Sequence, residues 1–408
     1  MKKSLLALAT LGAFAGAAQA QSSVSVYGVM DGGFTATENA STTAAGVKTT
    51  TKGRNTVNGD GALSSSRIGF RGVEDLGGGK KAEFLLEYDL VNIGNGANGN
   101  DNSVAETSTN ANVASTGTQN GFGARESWIG INDAKMGGLR LGRQQQAVFT
   151  VLASHGLAGA GNNIAGSIYS AGNAGTNPVT YTVRPVTVYL NQAVTYMSPT
   201  ISGFKVTAQY SQNAYEAQST RLNGARESGG SITYTGIKKL ELGYGIAMQD
   251  VNIAAVTAAA ATGTTDTVVG VSAASNKTTQ QAIVANYDFG FVRPFVNYTK
   301  IKLNSSGSVA RDQSAFEIGL RAPITPTIGV WASTFTGNKK TDANSATLTA
   351  TTTGNADISG YQLGTTYAFS KRTTAYAIYG TQSVKGKDAA INAKLESTGY
   401  AVGLRHTF

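Results

Sequence analysis

The chain ends in TGYAVGLRHTF, Thr398–Phe408, and the reading of this stretch decides the fold. Tyr400, Val402, Leu404, His406 and Phe408 share one parity, while Gly399, Ala401, Gly403, Arg405 and Thr407 share the other. A period of two describes a strand with one apolar, aromatic face and one small or polar face. Left unpaired, such a terminal strand is an aggregation hazard. It therefore needs a partner strand, and its Tyr/Val/Leu/Phe face needs an apolar cover.

The other end of the chain bears on what that cover is. MKKSLLALATLGAFAGAAQA places Lys2 and Lys3 before an apolar run from Leu5 to Ala18 and an Ala18-Gln19-Ala20 cleavage pattern. This is the layout of an export signal. The apolar run is shorter than the ~20 residues a spanning helix needs. Cleavage after Ala20 divides the chain into a signal peptide, 1–20, and a mature portion, 21–408. Only 14% of residues are charged and 41% are hydrophobic, yet no later stretch approaches a spanning helix. The 51 glycines, 17 tyrosines and 6 prolines suit many strands joined by Gly-rich turns. With no cysteine, a disulfide framework and a thiolate metal site are excluded. The net charge of +9 is spread without a run of five basic residues, so export and charge pattern together argue against a nucleic-acid partner.

Between the ends, one unit recurs: long loop, strand, short turn, strand, long loop. Short turns fall at Asp75–Gly79, Asp133–Gly138, Pro199–Gly203, Gly236–Lys239, Asp288–Phe291, Pro323–Thr327 and Phe369–Arg372. These seven turns join fourteen strands, and the two terminal strands make sixteen. Phe204/Val206/Ala208/Tyr210 oppose Lys205/Thr207/Gln209, and Phe316/Ile318/Leu320 oppose Glu317/Gly319/Arg321. In the first hairpin Ile68 and Phe70 alternate with Arg67, Gly69 and Arg71, and Phe84, Leu86 and Tyr88 alternate with Glu83, Leu85 and Glu87. The first strand and Arg125–Asp133 are ambiguous by parity alone.

A soluble sandwich also alternates. The even strand number, the strict exchange of short turns with long loops, and aromatics gathered near the turns favour a membrane barrel instead. Lipid tolerates no open sheet edge, and interfacial aromatics form girdles. The expectation is an all-β chain, a 16-stranded antiparallel transmembrane β-barrel. Its last strand closes against its first, with Phe408 at one girdle.

SRIGFRGVEDLGGG (66–79), RESWIGI (125–131), LGRQ (141–144), VTYMSPTISGF (194–204) and the terminal Phe408 resemble the Gram-negative general porins of the outer membrane. The resemblance spans nearly the whole mature chain. It implies a homotrimer, a third loop folded into the lumen, and passive diffusion of ions and small hydrophilic solutes. It implies contact with outer-membrane lipid and lipopolysaccharide, and delivery to the barrel-assembly machinery through the last strand, with Phe408 as its assembly signal. In that family basic wall side chains face carboxylates on the inward loop. Arg67 and Arg125 match two of the wall arginines, and the third position is Tyr189 here. Arg184 lies nearby as a substitute. Arg140 has inward parity, whereas Arg143 shares parity with Leu139 and Leu141. Lys205, Arg321 and Arg405 are further pore-lining candidates. If Arg125 points inward, simple alternation turns Glu126 and Trp128 outward.

The segment expected to form the inward loop carries no Asp or Glu; indeed none occurs from Ala134 to Tyr215. Two unit charges 4 Å apart interact by ~4 kcal/mol at an effective dielectric of 20. Arginines without facing carboxylates bias permeation toward anions, unless acids such as Asp31, Glu83 or Asp101 restore the balance from elsewhere. His155 sits in this loop as a polar residue, with a pH gate as the less favoured alternative.

Competing readings have less support. The two histidines, His155 and His406, fall at opposite ends of the strand map, and no catalytic triad, metal cluster or cofactor motif accompanies them. GNGANG (94–99) satisfies G-x-G-x-x-G, but NDNSVAETSTN follows it rather than an apolar helix. The chain is therefore not expected to be an enzyme or to carry a cofactor or metal. A solute-specific channel or a barrel adhesin is the alternative, with the long loops Thr35–Ala62, Asn92–Phe122, Val251–Thr278 and Gly337–Ile358 as variable surface.

Overall fold

The computed structural model describes residues 23–43, 45–55, 62–90, 122–155, 162, 164–168, 188–217, 221–253, 274–305, 310–342, 355–387 and 394–408. The export segment expected at 1–20, Asp101 and Arg184 lie outside them. Along the chain run β1 (Ser23–Thr42), β2 (Lys48–Asn55), β3 (Arg67–Gly77), β4 (Lys80–Leu90), β5 (Phe122–Asp133) and β6 (Gly137–Gln145). A helix, α1 (Ala147–His155), precedes β7 (Tyr189–Met197), β8 (Phe204–Ala217), β9 (Arg221–Tyr234), β10 (Leu240–Ile253) and β11 (Ala274–Tyr287). The wall continues through β12 (Arg293–Ser305), β13 (Ala310–Pro323), β14 (Ile328–Asp342), β15 (Ala356–Ala368), β16 (Thr373–Gly386) and β17 (Lys394–Thr407).

From β3 on each strand pairs antiparallel with the next, β3 pairs with β1, and β17 pairs with β1 from Val29↔Thr407 to Thr42↔Lys394. The sheet is thus a closed barrel of sixteen wall strands. The seven expected turns are the seven short connections of this wall. β2 is an addition to it. The far half of β1, Thr35–Thr42, pairs with β2, while its near half, Ser23–Val29, pairs with β3.

This hairpin corrects one expectation, since Thr35–Ala62 reads as an unpatterned loop. The segment is rich in Thr, Asn and Lys on both faces, so its strands show no apolar alternation. Several strands likewise run on into stretches expected as loop, as in Val251–Ile253 and Gly337–Asp342.

Burial is inverted relative to a soluble domain. Phe70, Ile129, Ile131, Ile283, Ile318, Leu363 and Val402 are exposed, whereas Asp31, Asn297, Gln313 and Gln362 are buried. Apolar side chains outside and polar ones inside are what lipid outside and water inside require. Tilted ring pairs, Phe204–Tyr234 and Tyr287–Phe289, stand beside the short turns with centroids 4.5 and 4.6 Å apart.

The apolar core lies inside the wall. Val148, Phe149, Val151 and Leu152 of α1 pack with Ala247, Ala282, Val284 and Ala315. These partners share the inner face, because their strand neighbours Met248, Ile283 and Phe316 are exposed on the other.

Candidate functional site

β3 to β6 carry most of the basic row, and the Gly77–Gly79 turn sets its register. Counting back from that turn, Gly69 opposes Glu87 and Arg67 opposes Asp89. All four share the inner face because Ile68, Phe70, Leu86 and Tyr88 take the outer one. Across the next ladder Glu87 opposes Glu126 but Tyr88 opposes Ala124, so Arg125 is an extra residue in a β-bulge. A bulge re-aims side chains. Arg125, Glu126 and Trp128 consequently all face inward, correcting the expectation from simple alternation. Ile129 and Ile131 resume the outward parity.

Arg125 donates from Nε to Glu87 Oε1 and from Nη1 to Asp89 Oδ1, both at 2.6 Å. Arg67 Nε lies 3.4 Å from Glu87 Oε2, which also accepts from the Tyr27 hydroxyl at 2.8 Å. Arg140 is 3.8 Å from Glu83 and stacks on Trp128 at 3.9 Å. A second register shift falls between Gly142 and Gln144. Arg143 there donates to the Ala124 and Arg125 carbonyls and to Asn191, and stacks on Tyr189 at 4.6 Å. Tyr189, in place of a wall arginine, therefore lies between Arg143 and Arg125, the latter 5.6 Å away. The residue that parity had set aside, Arg143, joins the row through an irregularity.

The carboxylates on this wall are placed below the arginines. The Arg67 side chain is 23% exposed against 9% for Glu87, and Arg140 is 30% exposed against 12% for Glu83. Asp89 is the exception, at 25% against 14% for Arg125. Asp31 and Glu83, two of the alternative sources of acid, lie on the inner face. Glu87 and Asp89 were missed as partners, although their parity and the hairpin register contain the signal.

On the adjoining wall Arg405 opposes Asp31 and donates to Ser64 at 3.1 Å. Asp31 accepts from the Tyr376 hydroxyl at 2.6 Å and from the Ser64 amide at 2.7 Å, which draws residues 62–66 onto the inner face. Lys205 is exposed near the first turn of β8, and Arg321 faces inward on β13, opposite Arg293. His155 ends α1, and nothing of its side chain is described. His406 shares the outward parity of Leu404 and meets the Thr373 hydroxyl at 2.9 Å.

The described residues between β6 and β7 are fastened at several points. The Ala147 amide donates to Gln209 at 2.6 Å and Gln146 donates to Glu227. Gln362 holds Asn162, Ile164 and Ala165 through bonds of 2.6 to 3.0 Å. Glu317 accepts from Asn297 at 2.7 Å and from the Ile168 amide at 3.4 Å. Glu227 and Glu317 are thereby 6% and 0% exposed.

Comparison with known proteins agrees with this architecture. Residues 6–387 match the family model described as Gram-negative porin. An outer membrane porin protein of Bordetella pertussis is 27% identical over 445 aligned positions, with 100% of both chains covered. Outer membrane porin protein 32 of Delftia acidovorans is 27% identical over 430 positions, again covering 100% of both. Among solved structures, the anion-selective porin from Comamonas acidovorans superposes with a TM-score of 0.63 at 21% identity, covering 95% of this chain and 100% of that one. The trimer form of OmpT from Vibrio cholerae gives 0.55 at 15% identity, covering 95% and 99%. With nearly its whole length matched and its sixteen-stranded wall closed, the chain belongs to the Gram-negative porin family of the outer membrane.

Proposed function

We propose that the barrel is a water-filled channel for passive diffusion of ions and small hydrophilic solutes, and that it prefers anions. The carrying observation is the layering of charge. Arg67 and Arg140 reach further into the lumen than the carboxylates they touch, and Glu227 and Glu317 are covered by hydrogen-bonded chain. Except at Asp89, ions passing this wall meet guanidinium before carboxylate. A low-dielectric wall lined by one sign of charge concentrates the opposite ion. The name of the Comamonas neighbour supports the same reading.

The chain between β6 and β7 is the element that narrows the lumen in this account. Gly380 tests it, because a Cβ there would overlap the Ala165 carbonyl. Overpacking of this kind costs about 1–3 kcal/mol, which seating of residues 164–168 has to absorb. In liposomes, wild-type protein is expected to admit an anionic sugar faster than a cationic one of equal size. Gly380→Val is expected to raise the size limit for neutral sugars while the barrel stays folded. An unchanged size limit in a folded variant would contradict the role of this segment; equal flux of both charged sugars would contradict the preference. The channel is proposed to be a homotrimer, a reading supported by the trimer form of OmpT, and cross-linking in detergent to a species three chains in size tests it.

A further inference from the structure

Away from the Arg67–Arg125 row, a small, partly open recess lies on the inner wall, lined by Ser154, Asn286, Arg293, Phe295 and Arg321. Arg293 follows the β11–β12 turn and Arg321 precedes the β13–β14 turn, so the recess lies toward the short-turn end of the barrel. The two arginines stand directly opposite each other in the β12–β13 ladder. Like charges so placed destabilise a sheet unless something of opposite charge is shared between them.

Glu241 and Glu317 act on Arg321 electrostatically, but neither forms an ion pair with it. Arg293 is paired with Asp288 in the turn, at 3.0 Å. The Gly290 amide and then Arg293 hold the Asp288 carboxyl below its usual range, so this partner stays ionised. Glu241 accepts from Asn286 at 3.0 Å, and Glu317 is taken by Asn297 and Ile168. Among the described residues no ion pair reaches Arg321. Its guanidinium stacks 5.6 Å from the Phe295 ring, and its Nε is buried without a hydrogen-bond partner. A planar donor fork, a second arginine, a hydroxyl and an amide thus converge on one small space.

We propose that Arg321 and Arg293, with Ser154 and Asn286, bind a small oxyanion, a phosphate or carboxylate group, at a station on the lumen wall separate from the Arg67–Arg125 row. Guanidinium forks match the two oxygens of such groups. The station deepens the anion-channel reading and rests on it for access through a water-filled lumen. A plainer role for the arginines is to offset the negative C-terminal end of α1, whose last turn carries Ser154. That role needs only positive charge, so Arg321→Lys separates the two.

The probe is inorganic phosphate, titrated against potassium chloride current through the full-length channel at about 0.1 M ionic strength, where screening reaches only about 10 Å. Wild-type current is expected to fall saturably as phosphate occupies the station. In Arg321→Gln and Arg321→Lys the half-blocking concentration is expected to rise at least about tenfold. If Arg321→Gln fails to fold, the lysine variant carries the test alone. Block at the same concentration in both variants, or none in the wild type, overturns the station. The reversal potential of chloride against potassium, set by Arg67 and Arg125, is read in the same experiment. Its sign judges the anion preference independently of the phosphate result.

Discussion

Deleting Phe408 is expected to reduce the yield of folded, heat-modifiable barrel at least about tenfold, while Phe408→Leu reduces it far less. The Phe408 amide donates to the Gly28 carbonyl, and the Gly28 amide donates to the Phe408 carbonyl, both at 3.1 Å. This pair is the last rung of the ladder that closes β17 on β1. Its loss leaves two backbone groups of Gly28 at an open edge next to lipid, where each unsatisfied group costs several kcal/mol. About 1.4 kcal/mol already corresponds to a tenfold change. The Phe408 ring also lies over Gly28, where a Cβ would overlap it. Leucine keeps both backbone bonds and part of that cover. Electrophoretic mobility before and after heating checks the result; a deletion variant that folds in wild-type yield would show that closure does not depend on this rung.

Arg125→Gln is expected to lower the chloride-to-potassium permeability ratio by about eightfold. Arg125 holds both Glu87 and Asp89 at 2.6 Å. Its removal takes one positive charge from beside those carboxylates and leaves Glu87 with Arg67, at 3.4 Å, and the Tyr27 hydroxyl. A unit charge about 7 Å from the ion path changes the energy of each ion by about 0.6 kcal/mol at water's dielectric, with opposite sign for the two ions. The difference, about 1.2 kcal/mol, is close to a factor of eight. Adding Glu87→Gln to this variant is expected to restore much of the ratio. Reversal potentials in a salt gradient measure both, and an unchanged ratio in Arg125→Gln would remove this arginine from the ion path.

The wall was legible because its grammar is local. Each short turn between β3 and β16 carries turn residues, and strands such as β8, β10 and β13 alternate for long enough to fix their faces. What escaped depends on single-residue irregularities. The bulge at Arg125 reverses the parity of Glu126 and Trp128, and the shift after Gly142 brings Arg143 onto Tyr189. Neither shift leaves a mark in an alternating pattern that is already interrupted by polar residues. The partnership of Arg125 with Glu87 and Asp89 needed register as well as parity. The helix α1 is apolar around most of its surface, so it shows no face to read; only the inner wall against which it packs explains its burial.

The central claim is that the water-facing layer of this lumen is basic, and the reversal potential of the wild-type channel in a planar bilayer under a potassium chloride gradient tests it most directly. A potential displaced toward the chloride equilibrium value is expected. A potential displaced toward that of potassium would contradict it, because Glu83, Glu87 and Asp89 would then outweigh the arginines beside them.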